Sequence, residues 1–140
     1  MLFRSTSPTS SVFTVGTALS TNQSGGTYVA YLFATCAGVS KVGSYTGTTG
    51  VAKQIDCGFT SGARFILIKN ITSSGLDWYV YDSARGIVAG NDPYMLLNSS
   101  AADVTTTDYI DPYSAGFEIS STAPTDINQT GSTFIFLAIA

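Results

Sequence analysis

Asn22-Gln-Ser-Gly-Gly-Thr-Tyr-Val-Ala-Tyr-Leu-Phe-Ala34 returns as Asn128-Gln-Thr-Gly-Ser-Thr-Phe-Ile-Phe-Leu-Ala-Ile-Ala140, with polar turn residues and apolar residues in the same order. A polar cluster holding Gly, followed by seven residues dominated by aromatic and aliphatic side chains, reads as a turn and a strand. A second matched pair, Phe13-Thr-Val-Gly16 and Phe117-Glu-Ile-Ser120, lies upstream of each copy. The offset from Asn22 to Asn128 is 106 residues. Solenoid coils repeat every ~20–50 residues, so each unit here reads as a small domain. Residues 1–34 resemble the end of a preceding repeat, 35–140 make one full repeat, and 1–140 is expected to form a single β-sandwich domain.

The remaining sequence carries the same signal. Runs rich in Val, Ile, Phe, Tyr and Thr recur near 12–16, 27–34, 38–46, 51–57, 64–70, 77–82, 94–98, 116–121 and 132–139. Gly, Pro, Asn, Asp and Ser clusters separate them, which predicts an all-β fold. The expected architecture is an antiparallel β-sandwich, jelly-roll or concanavalin-like, of about 9–10 strands. The clearest hairpin joins Arg64–Lys69 to Trp78–Asp82 through the polar loop 72–75, and a second is expected between Val39–Tyr45 and Val51–Cys57. Asp92-Pro93 and Asp111-Pro112 read as turns, because the residue before Pro is pushed out of the α region. Ser99–Val104 is the one candidate for a helical turn, with a Ser to cap it.

Charge is sparse. The 140 residues hold six Lys and Arg against nine Asp and Glu, and 11% of the chain is charged. A net charge of -3 without a basic cluster excludes nucleic acid as partner. Nothing approaches the ~20 apolar residues of a membrane span, and Met1–Pro8 lacks the apolar core of a signal peptide, so a soluble protein without membrane insertion is expected. With no His, neither a Ser-His-Asp triad nor the common zinc sites can form. Asp82, Asp92, Asp103, Asp108, Asp111 and Glu118 leave a paired-carboxylate glycosidase conceivable, but Asp in this setting serves turns. No catalytic residue, metal site or cofactor is expected. There is no Asp-x-Asp-x-Asp calcium loop, only scattered Asp and carbonyl groups between 91 and 111. In the expected second hairpin Cys36 and Cys57 fall four positions out of register, so two buried thiols are expected instead of a disulfide.

Two patterns point to contacts. A strand with one wet face alternates, yet Tyr28–Ala34 and Phe134–Ala140 are apolar at every position, so both faces must be covered. The second face meets either loops of the same domain or a neighbouring unit, and on the latter reading Tyr28, Leu32, Phe134 and Leu137 are interface residues. In the segment Trp78-Tyr-Val-Tyr-Asp82, Trp78 and Val80 point one way while Tyr79 and Tyr81 point the other. If the Trp side is core, the two Tyr rings form a platform for a sugar ring, flanked by Asp82 and Arg85. Otherwise the cluster is a structural lock in which Arg85 ties the turn through Asp82.

The order of Asn22–Ala34, Val42-Gly-Ser-Tyr-Thr-Gly47, Asp56-Cys-Gly-Phe59, Arg64-Phe-Ile-Leu-Ile-Lys69, Trp78-x-Val-x-Asp82-x-x-Arg85-Gly86, Leu96-x-Asn98 and Gly116-Phe117 resembles a β-rich repeat of bacteriophage structural proteins. That repeat occurs in tail-fibre and other proteins of tailed phages, many of them marine phages of cyanobacteria. The resemblance implies a virion component near the host-contacting end of the particle. Its partners would be copies of itself, a trimer being usual for fibres, or other virion proteins, with a host-surface glycan as the outside contact. A capsid-surface decoration protein and a cellular carbohydrate-binding module are the alternatives.

Overall fold

A computed structural model describes residues 9–140. The chain divides into two units, Met1–Leu32 and Phe33–Ala140. The second is an antiparallel β-sandwich. Its strands are β1 (Ser40–Thr46), β2 (Lys53–Asp56), β3 (Phe65–Asn70), β4 (Trp78–Asp82), β5 (Met95–Leu96), β6 (Ile110–Tyr113), β7 (Gly116–Ile119) and β8 (Thr133–Ile139). One sheet has the order β1-β8-β3-β4-β5 and the other β2-β7-β6.

The sequence dictates which faces meet. Alternation along β3 buries Ile66, Ile68 and Asn70, and along β8 it buries Phe134, Phe136 and Ala138. The apolar ones meet Ile55, Ile110, Phe117 and Ile119 from the smaller sheet in one core. Tyr45 stacks on Phe134 with ring centroids 4.9 Å apart, and Phe117 meets Phe136 edge-on at 5.4 Å. Buried aromatic pairs of this kind add ~0.5–1.5 kcal/mol each beyond the area they hide. Phe136 also explains Gly43, its cross-strand partner, where a Cβ would lie 2.7 Å from Cζ of the ring.

The hairpin β3–β4 forms as expected, with Lys69 opposite Trp78 and Phe65 opposite Asp82. The expected hairpin between residues 39–45 and 51–57 does not. β1 pairs with β8 and β2 with β7, so the intervening residues carry the chain from one sheet to the other. Asn128 holds that crossing. Fully buried, its Oδ1 accepts from the Thr48 N–H at 2.9 Å and its Nδ2 donates to the Val51 carbonyl at 3.2 Å. The Asp111-Pro112 turn is instead strand β6, which sits at a sheet edge where a residue without an N–H is tolerated. Ser99–Val104 is not helical: the Ser99 hydroxyl accepts the Ala101 N–H and Val104 bridges to Tyr94. Of the two cysteines, both free thiols, only Cys57 is buried; Cys36 is exposed, against the expectation. Burial pushes the Cys57 thiol up to about 11, with Lys41 acting the other way.

The first unit contains α1 (Leu19–Asn22), a single turn, matched in the second unit by α2 (Thr125–Asn128). The strands expected at 12–16 and 27–34 are absent. Phe13–Gly16 therefore does not reproduce β7, and Tyr28–Ala34 does not reproduce β8. Strand β8 is central, hydrogen-bonded to β1 on one side and β3 on the other. Residues 27–33 have no such neighbour among the described residues, and a strand cannot exist without one.

Candidate functional site

The aromatic platform expected at Tyr79 and Tyr81 is not at the surface. Both rings are in the core, Tyr81 completely, and it is Trp78 that lies on the outer face. The hairpin register carries the reason. Cross-strand neighbours share a face, and the face of Trp78 and Asp82 pairs with Lys69 and Phe65, so two charged residues stand on it. The wet side is the Trp side. Tyr79 and Tyr81 pack against Tyr94 at 4.9 and 5.7 Å, and Tyr94 stacks on Tyr109 at 5.8 Å. Tyr79 donates its hydroxyl to Asp126 Oδ2 at 3.2 Å. Burial raises the phenol pKa of both Tyr79 and Tyr81, with neighbouring carboxylates adding to it.

Asp82 and Arg85 do pair. Asp82 Oδ1 accepts the N–H groups of Ala84 and Arg85 at 3.0 and 2.9 Å, and its Oδ2 accepts from the guanidinium. Arg85 Nε also donates to Asp103 Oδ2 at 2.6 Å, so one cation ties the end of β4 to the 99–104 loop. Partial burial works to raise the Asp82 pKa, but the Arg85 and Ala84 donors outweigh it and hold the group below its ordinary value. Asp103 was not singled out with them in the sequence, where 18 residues separate it from Arg85.

Asp92, one of the six candidate carboxylates and expected as a turn residue before Pro93, has a different setting. It is fully buried, and its two carboxylate oxygens each accept a backbone N–H at 2.9 Å, from Tyr109 and Ile110. Burial pushes it up to about 7 despite those donors, with Asp108 and Asp111 adding to the shift. Nothing local in the sequence distinguishes it from an exposed turn Asp. Among the described residues no group of three or more His, Cys, Asp or Glu converges to hold a metal.

An open cleft of about 410 Å³ lies at the end of the sandwich where β3 begins, β4 ends and β6 turns into β7. Arg64, Ser83, Pro112, Tyr113 and Ser114 line it. Apolar groups, among them Ala63, Ile87 and Pro112, make most of its wall, and Arg64, Tyr113 and the hydroxyls of Ser61, Ser83 and Ser114 supply the polar part that could meet a hydroxylated ligand.

The outer face of the larger sheet is the other surface of note. Val42, Leu137, Leu67, Val80 and Met95 stand opposite one another in register, one apolar residue from each of the five strands. On either side run Ile135, Lys69 and Trp78, and Ile139, Phe65 and Asp82. Val42 is 41% exposed and Ile135 37%, whereas the central Leu137 is sheltered to 6% by its neighbours. Of the expected interface residues, Leu137 is thus in the middle of this face and Phe134 is in the domain's own core. Tyr28 and Leu32 lie outside the sandwich and are exposed, Leu32 at 75%.

No helix among the described residues is long and apolar enough to cross a membrane. No curated protein and no solved structure matches the chain. One family model matches along residues 1–140, described as a domain of unknown function, DUF7483. With its whole length covered by that model, the chain belongs to the DUF7483 family.

Proposed function

We propose that this domain is a non-enzymatic building block of an assembled structure, a repeat unit of a phage tail fibre that packs through the outer face of its larger sheet. The observation that carries the reading is the apolar row Val42–Leu137–Leu67–Val80–Met95. On that face Val42 and Ile135 stand exposed beside Leu137 and Val80, which the sheet already shelters, and the exposed pair is the apolar surface a partner would cover. The motif resemblance to phage fibre repeats supports the same reading. So does the engagement of three of the six candidate carboxylates, Asp82 and Asp103 by Arg85 and Asp92 by main-chain N–H groups. Sedimentation is the test. An oligomer is expected, with a trimer favoured, and Ile135→Lys should dissociate it. A monomer at every accessible concentration ends this reading.

Contact with a host-surface glycan is a second reading, favoured by the cleft at Arg64 and Tyr113. Tyr113→Ala should weaken adsorption to host cells about tenfold, ~1.4 kcal/mol, with little change in melting temperature. Unchanged adsorption would make the domain a spacer.

A further inference from the structure

We infer that residues 19–34 are a strand-donating plug: a helix turn and strand that complete a sandwich of this same fold in another repeat unit, seating between its β1-type and β3-type strands as Thr125–Ala140 seat here. The inference does not depend on the outer face of the sheet. It rests on a comparison of backbones. The residue before each helix turn is extended, Ala18 at φ -66°, ψ 128° and Pro124 at φ -70°, ψ 164°. The residue after it repeats as well, Gln23 at φ -74°, ψ 134° and Gln129 at φ -64°, ψ 128°. Gly25 and Gly131 then take the left-handed region at 76° and 78°. The hydrogen bonds Asn22 N to Ala18 O and Gly26 N to Gln23 O, 2.9 and 3.0 Å, reappear as Asn128 N to Pro124 O and Ser132 N to Gln129 O, 2.8 and 3.1 Å.

The turn thus keeps most of its seated backbone without a seat, the exception being the Gln23 N–H and the Leu19 carbonyl, which no direct bond joins. The Tyr28 hydroxyl holds it, accepting the Gln23 N–H at 2.8 Å and donating to the Leu19 carbonyl at 2.9 Å. These are the positions that α2 joins directly, Gln129 N–H to Thr125 O at 3.1 Å. What the first copy lacks is everything the second obtains from its neighbours. Buried Asn128 clamps the crossing between β1 and β2, whereas Asn22 is exposed and its Nδ2 donates to Gly16 O, at 2.9 Å. Val29, Tyr31 and Leu32 are 77, 82 and 75% exposed. Thr27–Phe33 make no backbone hydrogen bond to another described residue.

The sequence also says which seat. Ala30 stands where Phe136 stands and Leu32 where Ala138 stands, so two core positions exchange sizes. The acceptor is accordingly a related repeat with a bulkier residue at the position of Gly43, which here makes room for Phe136. An identical copy fits less well.

A tandem chain tests this: residues 35–127, an acceptor sandwich lacking its last strand, placed directly in front of residues 22–140. One version keeps the natural plug, and a second carries Ala30→Phe and Leu32→Ala, which restore the sizes of Phe136 and Ala138. Amide hydrogen exchange is read across both. In the resized version residues 28–33 should exchange at least about 100-fold more slowly than in the natural chain, and the added 35–127 should be protected with them. The natural plug should give the same pattern with weaker protection. Asn22→Ala should cut the protection about tenfold in the tandem chain and change nothing in the natural one. Free-chain exchange of 28–33 in both versions overturns the inference, whether the added sandwich stays unfolded or captures 128–140 instead.

Discussion

Two stretches with the same pattern of turn and apolar residues, identical at five of thirteen positions, end up differently in this molecule. Asn128–Ala140 is a turn and an interior strand of a five-stranded sheet, while Asn22–Ala34 is a matching turn followed by seven residues with no strand partner among the described residues. The turn is local chemistry, a helix turn closed by i to i+4 bonds and a left-handed Gly, so it survives in both places. The strand is not local. Its hydrogen bonds belong to β1 and β3, and without them apolar, β-branched and aromatic residues stay exposed. β-propensity describes fit to a surface, and the first copy has no surface to fit.

The same side chain should therefore matter in one copy and not in the other. Phe134→Ala removes a fully buried ring stacked on Tyr45 and should cost ~4 kcal/mol by denaturant unfolding, whereas Tyr28→Ala should change stability by less than ~0.5 kcal/mol. Equal losses would mean that both copies are packed.

Titration sharpens the contrast, because the second unit buries Asp92. Its carboxyl is pushed up to about 7 from 3.8, so the proton is held more tightly in the folded state. The resulting stability is complete below the unfolded value and is lost as pH rises through about 7. Unfolding free energy should thus fall by roughly 3 kcal/mol between pH 5 and pH 8. Asp92→Asn should flatten that slope. A slope that Asp92→Asn leaves unchanged would assign it to other groups. Asp82, held below its ordinary value, contributes in the opposite sense and only at lower pH.

Asn128→Ala, which unpairs Thr48 and Val51, should cost ~2 kcal/mol, and Asn22→Ala nothing measurable in the natural chain. The smallest effect is expected at Ile135 on the outer face. Ile135→Lys should move stability by less than ~1 kcal/mol and yet abolish association, since a charge at a partly exposed site is tolerated in a monomer but not in an apolar contact.

The sandwich itself was legible in the sequence. Short runs rich in Val, Ile, Phe, Tyr and Thr, cut by Gly, Pro, Asn, Asp and Ser clusters, predict it, whereas the covering of both faces expected for Phe134–Ala140 fails at Ile135, which is exposed. Sheet membership was not legible, because whether β1 continues into β2 as a hairpin or crosses to the other sheet depends on Asn128, 80 residues from Thr48. Strand β6 was hidden by Pro112, which only an edge tolerates. The Asp82–Arg85 pair was readable from its spacing. The direction of Tyr79 and Tyr81 was left open, because it follows from the register that sets Lys69 opposite Trp78. Asp92 was not, since its burial is set by Tyr109 and Ile110, far along the chain.

Amide hydrogen exchange on the natural chain, resolved by residue at pH 7, tests the central claim most directly. Amides of Ile135–Ile139 should be protected by about 10⁴-fold or more, as befits a central strand opening only with global unfolding. Those of Val29–Phe33 should exchange within about tenfold of an unstructured chain. Comparable protection in the two segments would contradict the account, because it would mean that residues 29–33 have already found strand neighbours in this chain.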